Sequence, residues 1–400
     1  MLVFILNAGS SSLKYQLMNP VSQETLAVGL CERIGIDGVI KHEFGNDQKL
    51  KVEVSMPTHK EAIELVLKTL TDGEGKVINS IDDIDAIGHR AVHGGEDFAG
   101  SVMVTDAVIA KMKELIPLAP LHNPANIMGM EICQDLMPGK PNVAVFDTAF
   151  HQTMPDYAYM YALPHEQYTK HGIRKYGFHG TSHYFVSNEA RKMLDKKHNT
   201  RIIVCHLGNG SSVSAVLDGK CIDTSMGLTP VQGLMMGTRA GDVGAGAIQY
   251  MMSQENITID EALNIMNKKS GILGISGKSS DLREVLEGQA NGDARCDLAV
   301  NMVAYNIKKY VGAYAAALDG VDALCFTGGI GENAALIREK VCSGLDYMGL
   351  NIDPTKNNKR SGEARDISTN GSNGRIFVIP TNEEYVIAND TYKIVSGLEK

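Results

Sequence analysis

The sequence has few cysteines and no long apolar run. Its seven cysteines include no C-x-x-C pair, so neither a zinc ribbon nor a disulfide framework is predicted, and buried reduced thiols are expected. No stretch approaches the about 20 apolar residues that a membrane helix needs. The apolar run Leu2–Leu6 is too short for a signal-peptide core and has no basic region before it. We therefore expect a cytoplasmic protein with no membrane partner.

Excess positive charge is also missing. The chain carries 38 basic and 47 acidic residues, a formal net charge of −9. This balance favours solubility and argues against a nucleic-acid partner, which usually requires a basic patch. A local basic pocket for a small anion is still compatible with it. The 400 residues are too many for one compact core and predict two domains.

Two similar strand–turn–strand segments stand out along the chain. Val3–Leu6 and Leu13–Met18 predict a hairpin around the turn Asn-Ala-Gly-Ser-Ser-Ser. Arg201–His206 and Val213–Leu217 repeat this pattern around Leu-Gly-Asn-Gly-Ser-Ser, roughly 200 residues later. One such hairpin in each putative domain favours duplicated halves.

The remaining periodic segments alternate between helices and short buried strands, which predicts an α/β architecture. The first domain is expected to end near Asp147. The helices are predicted over His59–Leu70, Asp106–Ile116, Asn126–Leu136, Asp297–Leu318 and Glu383–Ser396, and the strands over Ala86–Val92, Asn142–Phe146, Ala323–Thr327 and Arg375–Ile379.

The first hairpin turn carries the parts that phosphate chemistry needs. Gly9 lets the backbone approach an anion closely, Ser10 and Ser12 bring hydroxyl groups, and Lys14 adds a cation. An ordinary turn with a solvated lysine is the plain alternative. The recurrence of the motif at residues 206–212 favours phosphate binding instead.

Two further glycine-rich segments invite a nucleotide interpretation. The segment Phe326–Ala334 is predicted as a loop between a strand and a helix, and its Gly-x-Gly-x-x-Ala literally satisfies the dinucleotide fingerprint. That fingerprint belongs in the first βα unit of a Rossmann domain, so a dehydrogenase is only an alternative. The segment Gly271–Ser279 has five intervening residues where a Walker A loop has four, and polar residues precede it. We reject it as a P-loop.

Polar clusters could bind a second substrate. Arg90 follows a short predicted strand, and Asp147 lies at the carboxyl end of another, where α/β sites gather. Arg239 stands among glycines, and its planar fork suits a carboxylate or a phosphate. A surface ion pair is the plain alternative for a lone arginine. Histidines 122, 179 and 206 border Gly or Pro turns, where a structural histidine is the default.

Taken together, seven motifs in order resemble the signatures of the acetate kinase family. The resemblance extends from residue 3 to the helix after Glu384. The motifs are Asn7–Tyr15, Gly88–Gly95, Phe146–Met154, Tyr176–His183, His206–Gly210, Gly237–Arg239 and Gly329–Asn333.

The resemblance implies two duplicated ribonuclease-H-like domains of the actin-like ATPase class with a central cleft, and a homodimer. The first domain would be residues 1–147 completed by the C-terminal helix 383–400, and the second, nucleotide-binding domain would be residues 148–382. The implied reaction is reversible, Mg²⁺- (or Mn²⁺-) dependent phosphoryl transfer between ATP and acetate, giving acetyl phosphate and ADP for acetyl-CoA formation. A propionate kinase of the same family and a non-catalytic nucleotide-gated clamp are the alternatives.

The resemblance also implies roles for individual residues. The catalytic group would be Asp147, His179 and Arg239. The carboxylate of acetate would bind Arg90, with His122 nearby. The methyl group of acetate would lie among Val92, Leu121, Phe178 and Pro230. ATP would be held by Ser10, Ser12, Lys14, His206, Leu207, Gly208, Asn209, Gly210, Asp281, Leu282, Arg283, Gly329, Ile330, Gly331, Glu332 and Asn333. The metal ion would lie near Asn7 and Glu383.

Acetate is already ionised at neutral pH, so the simplest reaction moves no proton. We therefore expect Asp147 to position an arginine or a metal-bound water, although the family role implied for it is acid/base catalysis. Two positions depart from the family pattern. Gly244-Ala245 replaces the usual Asp-Pro, which predicts a loop of altered stiffness, and Leu282 stands where Phe or Met is frequent.

Overall fold

The computed structural model describes residues 1–45 and 48–398. The chain has a mixed α/β fold with two compact units, one of Met1–Ala149 with Asn382–Lys400 and one of Phe150–Thr381. The predicted domain bounds and the nucleotide-binding role of the second domain stay predictions. Residues 399 and 400 of the predicted segment 383–400 lie outside the described residues. Among the described helices, none is long and apolar enough to cross a membrane.

The first unit is built on a mixed sheet. Its described strands are β1 (Val3–Ala8), β2 (Ser12–Asn19), β3 (Glu24–Glu32), β4 (Val39–Phe44), β5 (Gln48–Glu53), β6 (Ala86–Ala91), β7 (Val102–Met103) and β8 (Asn142–Phe146). They pair in the order β5-β4-β3-β2-β1-β6-β8-β7. The strands β1, β6 and β8 are parallel to one another, and the other pairs are antiparallel. The predicted strand β8 is confirmed and wholly buried, as expected for a parallel strand covered on both faces.

Helices cover both faces of this sheet. They are α1 (His59–Thr71), α2 (Asp106–Glu114), α3 (Asn123–Leu136) and the C-terminal helix (Glu383–Val395), with 3₁₀ turns at Ile81–Asp83 and Ile116–Leu118. A capping box of Thr58 and Glu61 begins α1. The α2 helix ends before its predicted end, because Pro117 fits the following 3₁₀ turn but cannot continue an α-helix. The C-terminal helix packs through Ile387 and Ala388 on the sheet face opposite α1 and α3.

The second unit repeats the strand arrangement of the first. Its described strands are β9 (Arg201–Leu207), β10 (Ser211–Leu217), β11 (Lys220–Thr224), β12 (Ala323–Thr327), β13 (Arg365–Asp366) and β14 (Arg375–Val378). The order is β11-β10-β9-β12-β14-β13, with β9, β12 and β14 parallel. The run β11-β10-β9-β12-β14 has the same directions as β3-β2-β1-β6-β8 of the first unit. The predicted α/β fold with duplicated architecture is confirmed.

The helices of the second unit correct one prediction and support another. They are α4 (Asp156–Tyr159), α5 (Glu166–His171), α6 (Gly180–Leu194), α7 (Ala245–Glu255), α8 (Ile259–Lys268), α9 (Gly271–Ser276), α10 (Leu282–Ala290), α11 (Ala294–Ala317), α12 (Gly328–Asn333), α13 (Ala335–Cys342) and α14 (Pro354–Asn358), with 3₁₀ turns at Ala149–Thr153 and Asp346–Met348. The predicted loop over residues 328–333 is wrong, because Gly328 at φ +76° lets the chain turn directly into α12. The rejected P-loop segment begins as helix α9 after helix α8, with no preceding strand. All seven cysteines are buried with free thiols.

Candidate active site

The first hairpin turn, for which phosphate binding is predicted, closes tightly between β1 and β2. Asn7 and Lys14 face each other in the register of β1 and β2. The Gly9 N–H donates to the carbonyl of Ser12 at 2.8 Å and closes the turn. A methyl group on Gly9 would lie 2.9 Å from the Ser12 hydroxyl, so the close approach favours glycine. Ser10 is exposed and Ser12 half-buried.

A cavity of about 290 Å³ in the first unit collects several predicted site residues. Asn7, Lys14, Arg90 and Glu383 all line it. It therefore brings together the two predicted metal residues, the predicted phosphate lysine and the predicted acetate arginine. Glu384 also lines it, and sequence reasoning missed this residue although it directly follows Glu383.

Arg90 is held by Asp147. The Arg90 Nε and Nη2 atoms donate to the two carboxylate oxygens of Asp147 at 3.0 and 2.7 Å. Arg90 lies within β6 and not after it, and Asp147 directly follows the neighbouring strand β8. Asp147, foremost, and then Glu383 raise the pKa of Arg90 above its ordinary value. The side chain of Asp147 is only 2% exposed, so its contact with Arg90 is its principal polar environment.

The other acetate residues of the first unit differ in exposure. Val92 is buried, and its N–H donates to the side-chain oxygen of Asn126 at 3.0 Å. Leu121 is 66% exposed, so within this unit its side chain does not belong to a buried apolar surface. His122 is half-buried and stands at the N-cap of α3. The other two predicted methyl-pocket residues, Phe178 and Pro230, belong to the second unit.

His179 begins the cluster of the second unit. It adopts a left-handed conformation with φ 57° directly before α6, an unusual backbone for a histidine. Its ring stacks on that of His206 with 4.3 Å between centroids. Its Nδ1 atom lies 2.9 Å from the hydroxyl of Ser212, and His206 Nδ1 lies 2.7 Å from that of Ser182. The chain thus orients both histidines through serine hydroxyls.

Arg239 lies beside this pair. A methyl group on Gly210 would lie 3.4 Å from His179 Nε2 and 3.6 Å from Arg239 Nη1, so both side chains converge on Gly210. Arg239 Nη1 also donates to the carbonyl of Pro230 at 3.5 Å. In the described part of the chain, Arg239 has no carboxylate partner. Burial lowers the pKa of Arg239, although a guanidinium stays charged at neutral pH.

The turn at residues 206–210 is tied to the segment that carries Arg239. Leu207 is buried, and the Gly208 N–H donates to the carbonyl of Gly210 at 3.1 Å. The Gly237 N–H donates to the carbonyl of Asn209 at 3.0 Å. A methyl group on Gly237 would lie 1.9 Å from Asn209 Oδ1, so the two segments touch where only glycine fits. The structure therefore joins His179, Arg239 and this turn in one cluster.

Asp242 anchors the rest of that segment. It accepts the Gly233 N–H at 3.0 Å and the hydroxyl of Tyr310 at 2.5 Å. Gly244, at the position that departs from the family pattern, is the N-cap of α7. Its backbone is extended, with φ −63° and ψ 140°. Asp242 therefore fixes the segment before the departure begins.

The remaining predicted nucleotide residues have structural contacts of their own. Asp281 caps α10 and forms an ion pair with Arg283, whose side chain is 88% exposed. The side chain of Leu282 is packed in the core, so it presents no surface to a base. The larger group on α12 comprises Gly329, Ile330, Gly331, Glu332 and Asn333.

Within α12, the polar side chains are engaged by nearby backbone. The carboxylate of Glu332 accepts the N–H groups of Gly328 at 2.9 Å and of Thr381 at 3.4 Å. The amide of Asn333 donates to the carbonyl of Gly329 at 2.9 Å. Both side chains therefore stabilise the start of α12 and its connection to residue 381.

The donor set near Asn7 fits a hard cation. Asn7, Glu383 and Glu384, whose side chains carry amide and carboxylate oxygens, line one cavity. Mg²⁺ prefers oxygen ligands and is usually held by one or two carboxylates together with substrate phosphates. Among the described residues, no three His, Cys, Asp or Glu side chains form a complete metal cage. This arrangement suits a metal ion that arrives with a nucleotide, and the same oxygen donors suit Mn²⁺.

Comparison with known proteins identifies the family. A model of the acetokinase family matches residues 2–389. An acetate kinase of Agathobacter rectalis is 54% identical over 98% of this chain and 99% of its own. The crystal structure of Porphyromonas gingivalis acetate kinase matches with a TM-score of 0.95 and 49% identity, over 98% of this chain and 99% of its own. A propionate kinase structure from Francisella tularensis matches with a TM-score of 0.92 and 43% identity, over the same shares.

A family match across nearly the whole chain, together with these identities, settles the class. The fold and sequence are those of a phosphotransferase with a carboxyl group as acceptor. The chain belongs to the acetokinase family.

Proposed function

We propose that the protein transfers the γ-phosphoryl group of ATP reversibly to acetate, giving acetyl phosphate and ADP, with Mg²⁺ (or Mn²⁺) as the metal. Family membership and the identity to acetate kinases along the whole chain support acetate kinase as its function. The geometric observation that carries the proposal is the bidentate Arg90–Asp147 pair beside Lys14 and Glu383. A homodimer, which the resemblance implies, and a cytoplasmic location are further proposals.

Arg90 is proposed to bind the acetate carboxylate. An arginine has five N–H donors, and Asp147 takes two of those on Arg90. The other three can meet a carboxylate in the plane that Asp147 fixes. Since acetate arrives ionised, no base is needed. Asp147 is therefore proposed to position Arg90, and the observed contact favours this role over acid/base catalysis.

Arg239 and His179 are proposed to stabilise the moving phosphoryl group. An anionic acceptor must approach a polyanionic phosphate, so the main catalytic terms are positioning and charge neutralisation. No described carboxylate compensates the positive charge of Arg239. Its side chain and that of His179 both lie beside Gly210. The turn at residues 206–210 would present backbone N–H groups to the nucleotide.

Asn7 and Glu383 would hold the metal ion, which when bound neutralises phosphate charge. Lys14, across the hairpin from Asn7, would contribute a second positive charge to the phosphates. Ser10 and Ser12 would add hydroxyl donors. Asp281, Leu282, Arg283 and the α12 residues are proposed to contact ATP mainly through backbone, since their side chains are otherwise engaged, buried or extended into solvent.

The alternatives are less well supported. The higher identity to acetate kinases favours acetate over propionate. Discrimination between these acids by a methyl pocket is worth only about 1–3 kcal/mol. A dehydrogenase would need its fingerprint in the first βα unit, whereas this one begins α12 late in the chain. A non-catalytic clamp would leave the Arg90–Asp147 pair without a function.

The proposal is tested by measuring ADP formation from Mg-ATP with acetate, propionate, butyrate or no acid. We expect a strong acetate-dependent rate, a weaker rate with propionate and almost none without acid. A folded protein whose ADP formation ignores added acid would contradict the proposal. A faster rate with propionate than with acetate would shift it to propionate kinase.

A further inference from the structure

Behind His179, three fully buried side chains form a continuous hydrogen-bonded row. Ser214 Oγ lies 2.7 Å from His183 Nδ1, and His183 Nε2 lies 2.7 Å from Ser212 Oγ. Ser212 Oγ then lies 2.9 Å from His179 Nδ1. We name Ser214, His183 and Ser212 the relay. Ser212 and Ser214 face the same side of β10, and His183 reaches them from α6.

The relay has a direction. A hydroxyl donates one proton, and the only hydrogen-bond partner of the Ser214 hydroxyl in the described structure is His183 Nδ1. If His183 donated to Ser214, the hydroxyl proton of Ser214 would be buried without an acceptor, which native structures avoid. Ser214 therefore donates to His183 Nδ1.

The other two bonds follow from this one. Burial lowers the pKa of His183 well below its ordinary value, so its ring is neutral and carries one N–H. With Nδ1 accepting, that proton is on Nε2 and is donated to Ser212. Because the Ser212 oxygen accepts it, its own proton is free to be donated to His179 Nδ1.

We infer that the relay fixes neutral His179 as the tautomer protonated on Nε2, the atom that meets Arg239 at Gly210. His179 thereby keeps an N–H donor directed at the point where the proposed function requires negative charge to be stabilised. Ser212, His183 and Ser214 are positioning residues that act through His179. The inference about the tautomer rests on the hydrogen bonds, and its catalytic use rests on the proposed function.

The experiment uses the full chain with ¹⁵N-labelled histidine at neutral pH, without substrates. His179→Gln assigns the His179 signals. We expect wild type to show the Nε2–H tautomer, and Ser212→Ala to show a mixture of tautomers. We also expect Ser212→Ala to lower kcat roughly tenfold to 100-fold, with KM for ATP and acetate changed less than about twofold. Ser212→Thr, which keeps the hydroxyl, should restore both readouts.

Ser187→Ala is the matched control. Ser187 is equally buried and lies on α6, but its hydroxyl donates to the carbonyl of Tyr184 at 3.1 Å. This variant should keep the wild-type tautomer. Should Ser212→Ala not fold, Ser214→Ala provides the same test. Without the Ser214 hydroxyl proton, His183 is no longer fixed as the donor to Ser212.

A wild-type His179 protonated on Nδ1, or a tautomer unchanged in folded Ser212→Ala, would overturn the inference. Failure of the proposed function has a different signature. In that case the spectra would still show the Nε2–H tautomer, but the wild-type protein would form no ADP in response to acetate.

Discussion

Two arginines of this protein have opposite electrostatic surroundings. Arg90, in the first unit, is bound bidentately by the buried carboxylate of Asp147 and also experiences Glu383. Arg239, in the second unit, donates to a carbonyl and has no carboxylate partner among the described residues. The charge of Arg90 is largely compensated, whereas that of Arg239 is not.

This difference separates two tasks that one reaction needs. A compensated arginine is held rigidly and offers its remaining N–H groups as a recognition surface. An uncompensated arginine in a low-dielectric setting stabilises an added negative charge strongly. We therefore propose that Arg90 orients the acid and that Arg239 stabilises the transition state.

The largest expected effect concerns the uncompensated arginine. Arg239→Ala should lower kcat by roughly 10³-fold or more, the range of arginines that act on phosphoryl transition states. Arg239→Lys keeps a charge without the planar fork and should recover only part of the loss. Arg360→Ala, an exposed arginine of the same unit, is the control and should match wild type. A loss of only a few-fold in folded Arg239→Ala would place the catalytic charge elsewhere.

A smaller effect should separate positioning by Asp147 from an independent role. If Asp147 acts only through Arg90, then Asp147→Ala should cost less than about threefold further in kcat/KM when added to Arg90→Ala, because contacting residues are not additive. Alone, Asp147→Ala should raise the acetate KM by roughly tenfold or more, since it leaves Arg90 unheld.

The control for this cycle is Asp97→Ala in the same unit. Asp97 lies 3.7 Å from Lys111 in an exposed ion pair, which contributes little to stability. Its acetate KM should match that of wild type. Fully additive losses in the Arg90 and Asp147 double variant would instead support acid/base catalysis by Asp147.

A fall in pH should destabilise the strands next to the Arg90–Asp147 pair. His89 donates from Nε2 to Asn142 Oδ1 at 2.7 Å and so links β6, which carries Arg90, to β8, which Asp147 directly follows. Burial lowers the pKa of His89 to about 4. In the unfolded chain the histidine binds a proton near pH 6.5. The stability that neutral, buried His89 contributes is therefore fully present above about pH 6.5 and is lost as the pH falls toward 4.

The free energy of unfolding should thus fall by about 2 kcal/mol between pH 7 and pH 5 through His89 alone. Urea midpoints at both pH values measure this loss. His89→Gln cannot titrate and should lose less stability on acidification, whereas the exposed control His198→Gln should behave as wild type. Equal losses in wild type and His89→Gln would rule out this contribution.

The smallest effect concerns the size of the acid. If Arg90 recognises the acid, buried Val92, two residues further on, should limit its length. Val92→Ala should raise the propionate-to-acetate ratio of kcat/KM by roughly tenfold. Val104→Ala removes the same groups from the core of the same unit and should leave the ratio unchanged. A ratio that moves equally in both variants would exclude a specific role for Val92.

Local patterns in the sequence predicted much of this arrangement. The Gly/Ser turns marked both hairpins, and the buried run before Asp147 placed that residue at a strand end, because strand burial and turn chemistry are local signals. The partner of Asp147 could not be read in this way. Arg90 is 57 residues away in sequence, and the contact depends on the parallel pairing of β6 with β8.

Other features depend on packing that no local pattern records. The segment Gly328–Asn333 was predicted as a loop from its glycines, but Glu332 and the positive φ of Gly328 stabilise a helix. Leu282 is predicted to help hold ATP, and no local pattern records that its side chain is packed in the core. The contact of His183 with Ser212 joins α6 to β10 and requires the assembled unit.

The most direct test of the division between the two arginines is an acetate titration of ADP formation with wild type, Arg90→Ala and Arg239→Ala at saturating Mg-ATP. We expect Arg90→Ala to raise the acetate KM and to regain most of its rate at high acetate. We expect Arg239→Ala to keep an acetate KM near that of wild type and to stay slow at every acetate concentration. The reverse pattern, or the same pattern in both variants, would contradict this division.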